Sequence, residues 1–423
     1  MTNDNHGFAT PRVLVAQLGA RRHYAIPRAL WHKGLLSVLV TDACADASPW
    51  SFVRRVIPRK CMPTQLQRIL QRSTEDIPSS HIENQTAFFL SPSQRRGTRE
   101  RPCDYWARRN ASFGRAVVQR GFGEANTVYT FNGASLEILN AAKERGLRTV
   151  VDQTAAALRW NTKILREEQS SWPNWETSIA EVDESGILTE REEMEWRLAD
   201  LIITGSDFAK STVAEAGGPS DRVITLRYPL RRTQGRCRSF PPSYNNSRRL
   251  RVLFVGTLQL RKGIQYLSLA AEELKDEPVE FRVVGPSSLS VDAQKTLCRR
   301  MTLTGPVPRE QVAQSYGWAD VFVLPTLSEG SANVCYEAVA AGLPVITTRN
   351  AGADLVDGVS CIFVEPRDHM MLAGALRRVL RNPEILADLA EGAGRRLGEV
   401  SPYVYAEQLY DSLVMESAAK LVI

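Results

Sequence analysis

Glu329 and Glu337 stand eight residues apart in LSEGSANVCYEAVAAGLPVI, on either side of a small polar stretch. Two carboxylates can serve as the acid and base of glycoside hydrolysis, which needs them roughly 5 to 9.5 Å apart. Eight residues along one helix would separate them by about 12 Å, so the spacing disfavours that chemistry. Spacing alone is not diagnostic, because Glu184 and Glu192 repeat it in a charge-rich segment that reads as solvated. The surroundings decide. DVFVLP reads as a buried strand, so Thr326, Leu327, Ser328 and Glu329 fall at its carboxyl end, and a helix starts near Val334. Amides near Asn333, Val334 and Cys335 would then point, with the helix dipole, at an anion over the turn Gly330-Ser331-Ala332-Asn333. Small residues there let a bulky ligand approach the backbone. Glu337, one turn into the helix, is placed to accept hydrogen bonds from sugar hydroxyls, with Glu329 on the anion's other side. Each end of a nucleotide sugar would meet one glutamate.

The elements that must position these groups follow from the apolar runs. From LRVLFVG onward, strands of continuous Val, Leu, Ile and Phe (VEFRVVG, MTLTG, DVFVLPT, LPVITT, CIFVEP) alternate with helices, the pattern of a parallel sheet covered on both faces. Ligands of such sheets bind at the carboxyl ends of the strands. Lys262 falls at the carboxyl end of LRVLFVG and should meet the same rim as Glu329. The front of the chain opens the same way: a strand over Val13 to Gln17, a loop GARRHYAIP, a helix near Ile26 to Lys33 and a strand over Val38 to Thr41. Arg21, Arg22 and His23 make that loop hospitable to an anion. Residues 45 to 120 are expected to be irregular helices and loops. Strand, helix, strand then return from TVYTF to LRTVVDQT, which ends on Asp152 and Gln153. Ser206 sits where a helix N-cap belongs. The Arg-, Pro- and Ser-rich stretch PLRRTQGRCRSFPPSYNNSRR reads as a linker, so the chain divides into residues 1–240, 241–400 and a C-terminal helix over 401–423 that crosses back to the first domain.

Length and composition bound the rest. With 423 residues, 43% hydrophobic and 24% charged, the chain reads as two globular domains of an α/β protein. No apolar run is long enough to span a membrane and no signal-peptide core opens the chain, so a cytoplasmic protein is expected. Seven cysteines without a CxxC pair and five scattered histidines suggest neither a disulfide frame nor a metal site, and no cofactor is expected. Residues 1–150 hold 22 Lys/Arg against 11 Asp/Glu, whereas residues 151–200 hold 5 against 12. This basic front suits an anionic membrane surface or a phosphorylated acceptor; nucleic acid is not assigned as a partner. Arg54, Arg55, Arg59 and Lys60 are the expected contact with the inner membrane face, and Phe88, Phe89 and Leu90 read either as an apolar wedge there or, for the two aromatics, as part of the core.

The motifs together resemble family 4 of the retaining glycosyltransferases, which share the two-domain GT-B fold. LSEGSANVCYEAVAAGLPVITT resembles that family's E-x7-E signature, FVGTLQLRKG its diphosphate-gripping segment, LTGPVPREQVAQSYGWADVFVLPT its base-binding segment and ADLIITGSDFAKSTV the end of its first domain. The resemblance covers residues 200 to 400 and implies two Rossmann-like domains facing across a cleft. It also implies hexose transfer from a nucleoside diphosphate sugar to a lipid-linked or polysaccharide acceptor, without a metal. By this resemblance Lys262 binds the diphosphate, Glu337 the ribose and Glu329 the transferred sugar, with Val307 beside the base. Gly330, Ser331, Ala332, Asn333 and Val334 form the donor turn, and Gly19 approaches the diphosphate from the first domain. Thr257 stands where the family carries arginine, so Arg261 is expected to supply that guanidinium. The family's first-domain histidine has no counterpart between His81 and His369; Asp152 or Gln153 is expected to occupy its place, and His23 is a further candidate for a catalytic role in the first domain. The rivals are a non-catalytic nucleotide-sugar binder and an epimerase or phosphorylase of the same architecture. A dehydrogenase is disfavoured, since no G-x-G-x-x-G follows either opening strand.

Overall fold

The computed structural model describes residues 10–56, 62, 64–91, 94–176, 183–228, 239–241, 243–399 and 401–419. Two parallel sheets form, each flanked by helices. The first contains β1 (Val13–Gln17), β2 (Leu36–Thr41), β3 (Ile82–Asn84), β4 (Thr127–Phe131), β5 (Arg148–Gln153), β6 (Leu201–Thr204) and β7 (Val223–Thr225), in the order β3-β2-β1-β4-β5-β6-β7. The second contains β8 (Leu250–Val255), β9 (Val279–Val284), β10 (Met301–Leu303), β11 (Val321–Leu324), β12 (Val345–Thr347) and β13 (Cys361–Phe363), in the order β10-β9-β8-β11-β12-β13. In each sheet the order reverses beside the opening strand, where Val15 pairs with Tyr129 and Leu253 with Phe322. Crevices at such reversals, at the carboxyl ends of the strands, are where ligands of open α/β sheets bind.

The strands are apolar throughout because both faces are covered. Along β1, Val13 and Val15 join one hydrophobic cluster while Leu14 and Ala16 join the cluster on the sheet's other side. The C-terminal helix Pro402–Ala419 leaves the second domain and lies on the helix Ala25–His32, where Tyr405, Ala406, Leu409 and Leu413 complete the first of those clusters. Arg148 at the start of β5 donates to the carbonyls of Leu413 and Ser412.

Three sequence expectations need correction. Within residues 45–120, a regular helix of 19 residues runs from Pro102 to Arg120, burying Cys103, Ala107, Phe113 and Val117. The intervening Arg108, Arg109 and Asn110 interrupt the apolar stripe and hide it from a periodicity reading. Next, Glu192 is not solvated. It is 3% exposed and accepts from the Asn132 and Gln153 side-chain amides and from the backbone amide of Leu158, at the first turn of the helix Leu158–Ser171. Finally, the wedge reading does not hold and the core reading of the aromatics does: Phe88 is buried, Phe89 packs edge-on against Trp50, and of the three only Leu90 is exposed. Phe52 and Val56, on the helix Trp50–Val56 with Arg54 and Arg55, are exposed instead. Arg59 and Lys60 lie outside the described residues. No helix among the described residues is long and apolar enough to cross a membrane.

The two domains are tied together by the helix Leu158–Ser171 and the segment after it. Glu168, buried at their junction, accepts from Gln265 Nε2 (2.8 Å), Tyr266 Oη (2.8 Å) and Arg367 Nε (2.7 Å), all in the second domain. Glu176 accepts from the amide of Leu260 at 2.6 Å.

Candidate active site

The site is built at the carboxyl ends of β8 and β11. After β8 the chain turns through a 3-10 segment, Leu260–Lys262. The Arg261 carbonyl there accepts from the Leu327 amide (2.8 Å) and from Thr326 Oγ1 (3.1 Å). That double bond fixes the Lys262 turn against the Glu329 turn, so the cations and the carboxylate share one rim. Lys262 Nζ donates to Glu329 Oε1, and Arg261 Nη1 lies 3.1 Å from the same oxygen while also donating to the Ser328 carbonyl. Burial alone would raise the Glu329 carboxyl, but the two cations outweigh it and hold it below the usual carboxylate range.

The Glu329 amide donates to Asn350 O (3.0 Å), which fixes the turn from behind. The helix that follows runs Asn333–Ala340. Its Cys335 amide is already taken by the Ala332 carbonyl at 3.0 Å, contrary to the expectation that it is free for an anion; Asn333 and Val334 remain at the open first turn. Glu337 is exposed, one turn further on, and its Oε2 accepts from Tyr316 Oη at 3.1 Å. Its Oε1 takes no part in that bond. Val307 is half-buried between β10 and the helix Arg309–Trp318, packed on the second domain's core.

The first domain closes on this rim. Gly330 lies so near β5 that a Cβ there would stand 2.0 Å from the Thr154 carbonyl, so only glycine fits. Its own carbonyl accepts from Ser206 Oγ, which also accepts from the Ala209 amide as the N-cap expected from the sequence. The loop after β1 is fixed at both ends: Gln17 Nε2 donates to the carbonyls of Gly19 (3.0 Å) and Arg21 (3.1 Å), and the Gly19 amide donates to Asp42 Oδ1 (2.8 Å). In front of the Gly19 α-carbon there is open space, with nothing within 4 Å of an added methyl. Arg21 Nη1 donates to Thr154 Oγ1 (2.9 Å), and Arg22 Nη1 to Asn333 Oδ1 (3.2 Å) across the cleft. His23 is exposed on the same loop. Asp152, by contrast, is wholly buried and accepts from Tyr129 Oη (2.7 Å) and from Tyr228 Oη.

Gly19, Arg22, Arg261, Lys262, Glu329, Gly330 and Asn333 thus converge on one cleft, with Glu337 along its second-domain wall. Sequence reasoning missed Tyr316, Gln17, Asp42 and Tyr228. Asp42, Tyr228 and Tyr316 act through partners distant in the chain, whereas Gln17 holds the loop that follows it in sequence. Among the described residues no three His, Cys, Asp or Glu side chains are arranged to hold a metal.

Comparison with known proteins agrees with this architecture. HepE of Anabaena, in a crystal structure with UDP and glucose, superposes with a TM-score of 0.60 at 16% identity over 95% of this chain and 99% of its own. Sucrose-phosphate synthase of Thermosynechococcus elongatus superposes with a TM-score of 0.65 at 18% identity over 97% of this chain and 100% of its own. The fold is GT-B.

In sequence, residues 249–382 match the family model described as Glycosyl transferases group 1. A putative teichuronic acid biosynthesis glycosyltransferase, TuaC of Bacillus subtilis, is 38% identical over 146 residues, 33% of this chain and 36% of that protein. A D-inositol 3-phosphate glycosyltransferase of Geodermatophilus obscurus is 35% identical over 181 residues, 38% of this chain and 39% of that protein. The chain therefore matches well under half the length of these two relatives.

Proposed function

We propose that this GT-B protein is a retaining glycosyltransferase of family 4, moving a hexose from a nucleoside diphosphate sugar to a lipid-linked or polysaccharide acceptor. The observation that carries the reading is the shared rim: Arg261, Lys262 and Glu329 meet just before the helix Asn333–Ala340, whose first residue Arg22 of the Gly19 loop reaches. A diphosphate laid over that turn meets helix amides and Lys262, both suited to the charge that grows on it as the anomeric C–O bond breaks. The electron pair of that bond passes to the departing diphosphate. The acceptor hydroxyl forms its new bond from the same face and gives its proton to the diphosphate, so no protein nucleophile is needed. Glu337 takes the ribose hydroxyls through Oε1, and Glu329 the hydroxyls of the sugar while it holds Lys262 in place. The teichuronic acid enzyme and an Escherichia coli O-antigen chain mannosyltransferase, 29% identical over 188 residues, favour a polysaccharide or its lipid-linked precursor as acceptor.

The exposed Phe52 and Val56 beside Arg54 and Arg55 offer the first domain a basic and apolar face for an anionic membrane carrying such an acceptor. The decisive experiment is calorimetric titration of the full chain with UDP, GDP and ADP. One of them is expected to bind, and Lys262→Ala and Glu337→Ala are each expected to weaken it. No binding by any nucleoside diphosphate would reject the reading.

A further inference from the structure

The loop after β1 contains three consecutive residues, Arg22, His23 and Tyr24, at φ 50°, 50° and 58°. Side chains with a Cβ disfavour this left-handed region, so a run of three persists only where the surroundings impose it. Gln17 holds the loop's carbonyls from one side, and the buried Tyr24 hydroxyl donates to Ala43 O from the other. The product of this geometry is the position of one guanidinium. The Arg22 guanidinium carbon stands over the ring of Tyr228, 3.1 Å from its centroid. The ring's edge lies against Gly205, where a Cβ would fall 1.8 Å from Tyr228 Cε2, so the ring is admitted only because position 205 is glycine. Below, the Tyr228 hydroxyl donates to Asp152, which Tyr129 holds as well.

A stack therefore rises from the buried end of β5 through Asp152 and Tyr228 to Arg22 at the cleft. From there Arg22 crosses to the second domain and donates to Asn333, the first residue of the helix whose N-terminus forms the anion site. A guanidinium has five N–H donors, and this contact engages only one. Charge gives the arrangement a purpose. Glu329 is paired with both Arg261 and Lys262, so these three side chains together offer one net positive charge to a dianionic diphosphate.

We infer that Arg22 is the cation which the first domain delivers to the donor diphosphate, and that Tyr228 and Asp152 are positioning residues that hold it there. The inference rests on the donor reading above. In this role Arg22 donates to the diphosphate oxygens as the C–O electron pair arrives on them, and because it is fixed on an aromatic platform it needs no reorganisation at that moment. Asp152 takes no proton from the acceptor. Burial raises the Asp152 carboxyl against the opposing pull of the Tyr228 and Tyr129 hydroxyls and the nearby arginines, and its part in the stack is to accept from the Tyr228 hydroxyl.

The test uses the full chain and whichever of UDP, GDP and ADP binds it. Release of that nucleotide from its glucose or mannose conjugate gives turnover, and titration gives affinity. Arg22→Ala should reduce turnover about 10- to 100-fold, the loss expected for one charged hydrogen bond, at temperatures where the variant stays folded. Added guanidinium ion at millimolar concentration should restore part of it, which a merely structural role would not allow. Tyr228→Phe keeps the platform but loses the anchor on Asp152, and should fall between Arg22→Ala and the parent. Arg22→Lys, which keeps the charge without the planar fork, should also lose turnover, and serves if the alanine variant does not fold. If Lys262→Ala weakens nucleotide binding while both Arg22 variants match the parent in affinity and turnover, the inference is overturned and the donor reading stands. If Lys262→Ala and Glu337→Ala leave binding unchanged, the donor reading falls and this inference with it.

Discussion

Replacing Glu329 by glutamine should weaken the empty protein while sparing its grip on nucleotide. In the parent, Lys262 and Arg261 share this one carboxylate, and the three side chains are only 13 to 17% exposed. Solvent therefore screens little of the interaction. Breaking such a pair by removing one partner costs about 3 to 5 kcal/mol, because the other charges stay buried without compensation. Glutamine retains one acceptor oxygen, which places the loss near the lower end, about 3 kcal/mol. For a domain of this size that corresponds to a melting temperature lower by about 6 to 12 °C. A nucleoside diphosphate brings the missing negative charge with it, so affinity should hold or rise and the bound variant should recover most of the lost stability. Turnover should fall about 100-fold or more, since the group that meets the sugar is gone.

Melting curves with and without nucleotide, titration calorimetry and nucleotide release give the three numbers. Loss of affinity in Glu329→Gln equal to that in Lys262→Ala would refute the division of labour between sugar and diphosphate. The same pair fixes a pH dependence. The Glu329 carboxyl is held below its ordinary value, so its stabilisation is complete above the unfolded value near 4.5 and is lost as pH falls through the lowered one. Glu329→Gln should therefore show a shallower decline in stability between about pH 4.5 and the acid limit than the parent does.

Lys262→Ala and Glu337→Ala should each weaken nucleoside diphosphate binding by about 1 to 3 kcal/mol in titration calorimetry, and Tyr316→Phe, which frees the Glu337 oxygen it now occupies, should change binding by less than about 1 kcal/mol. Glu168→Ala removes the carboxylate to which Gln265, Tyr266 and Arg367 donate at the domain junction; calorimetric melting should resolve two transitions or a single one lowered by about 3 kcal/mol, whereas an unchanged single transition would show that the junction is held elsewhere. The protein should sediment with anionic vesicles at low salt and not with neutral ones, and Arg54→Glu with Arg55→Glu should abolish this; equal recovery with both vesicle types would reject the membrane face.

What the sequence made legible were features whose cause is local. β8 and β11 are unbroken apolar runs, Ser206 caps its helix with its own hydroxyl, and Lys262 follows its strand at a fixed short distance. The helix Leu158–Ser171 was not legible, because part of its buried face is polar: Asn161, Thr162 and Glu168 are inside, and Glu168 is satisfied by partners that only the fold brings near. The same holds for Asp152. Its place at the end of β5 could be read from RTVVDQ, yet its partners come from Tyr129, two strand positions away on the neighbouring strand, and from Tyr228, beyond β7. A local pattern reports which side chains leave a strand end. It does not report what closes over them.

The interval of eight between Glu329 and Glu337 illustrates the difference. Glu329 belongs to a turn whose backbone is fixed to Asn350, and Glu337 to a helix that begins only at Asn333, so half of the interval is not helical. The two carboxylates do not share a helix face, and the spacing is a consequence of a turn followed by one helical turn. Glu184 and Glu192 have the same interval, and there Glu192 caps the helix Leu158–Ser171 in the interior. The chemistry therefore follows from the strand end that delivers Arg261 and Lys262 to one of the two glutamates and from the tyrosine that meets the other. Lys262 donates to Glu329, and a diphosphate placed there would have to compete for that ammonium. Carboxylate and ligand contend for one charge, which is why the glutamine substitution separates stability from affinity.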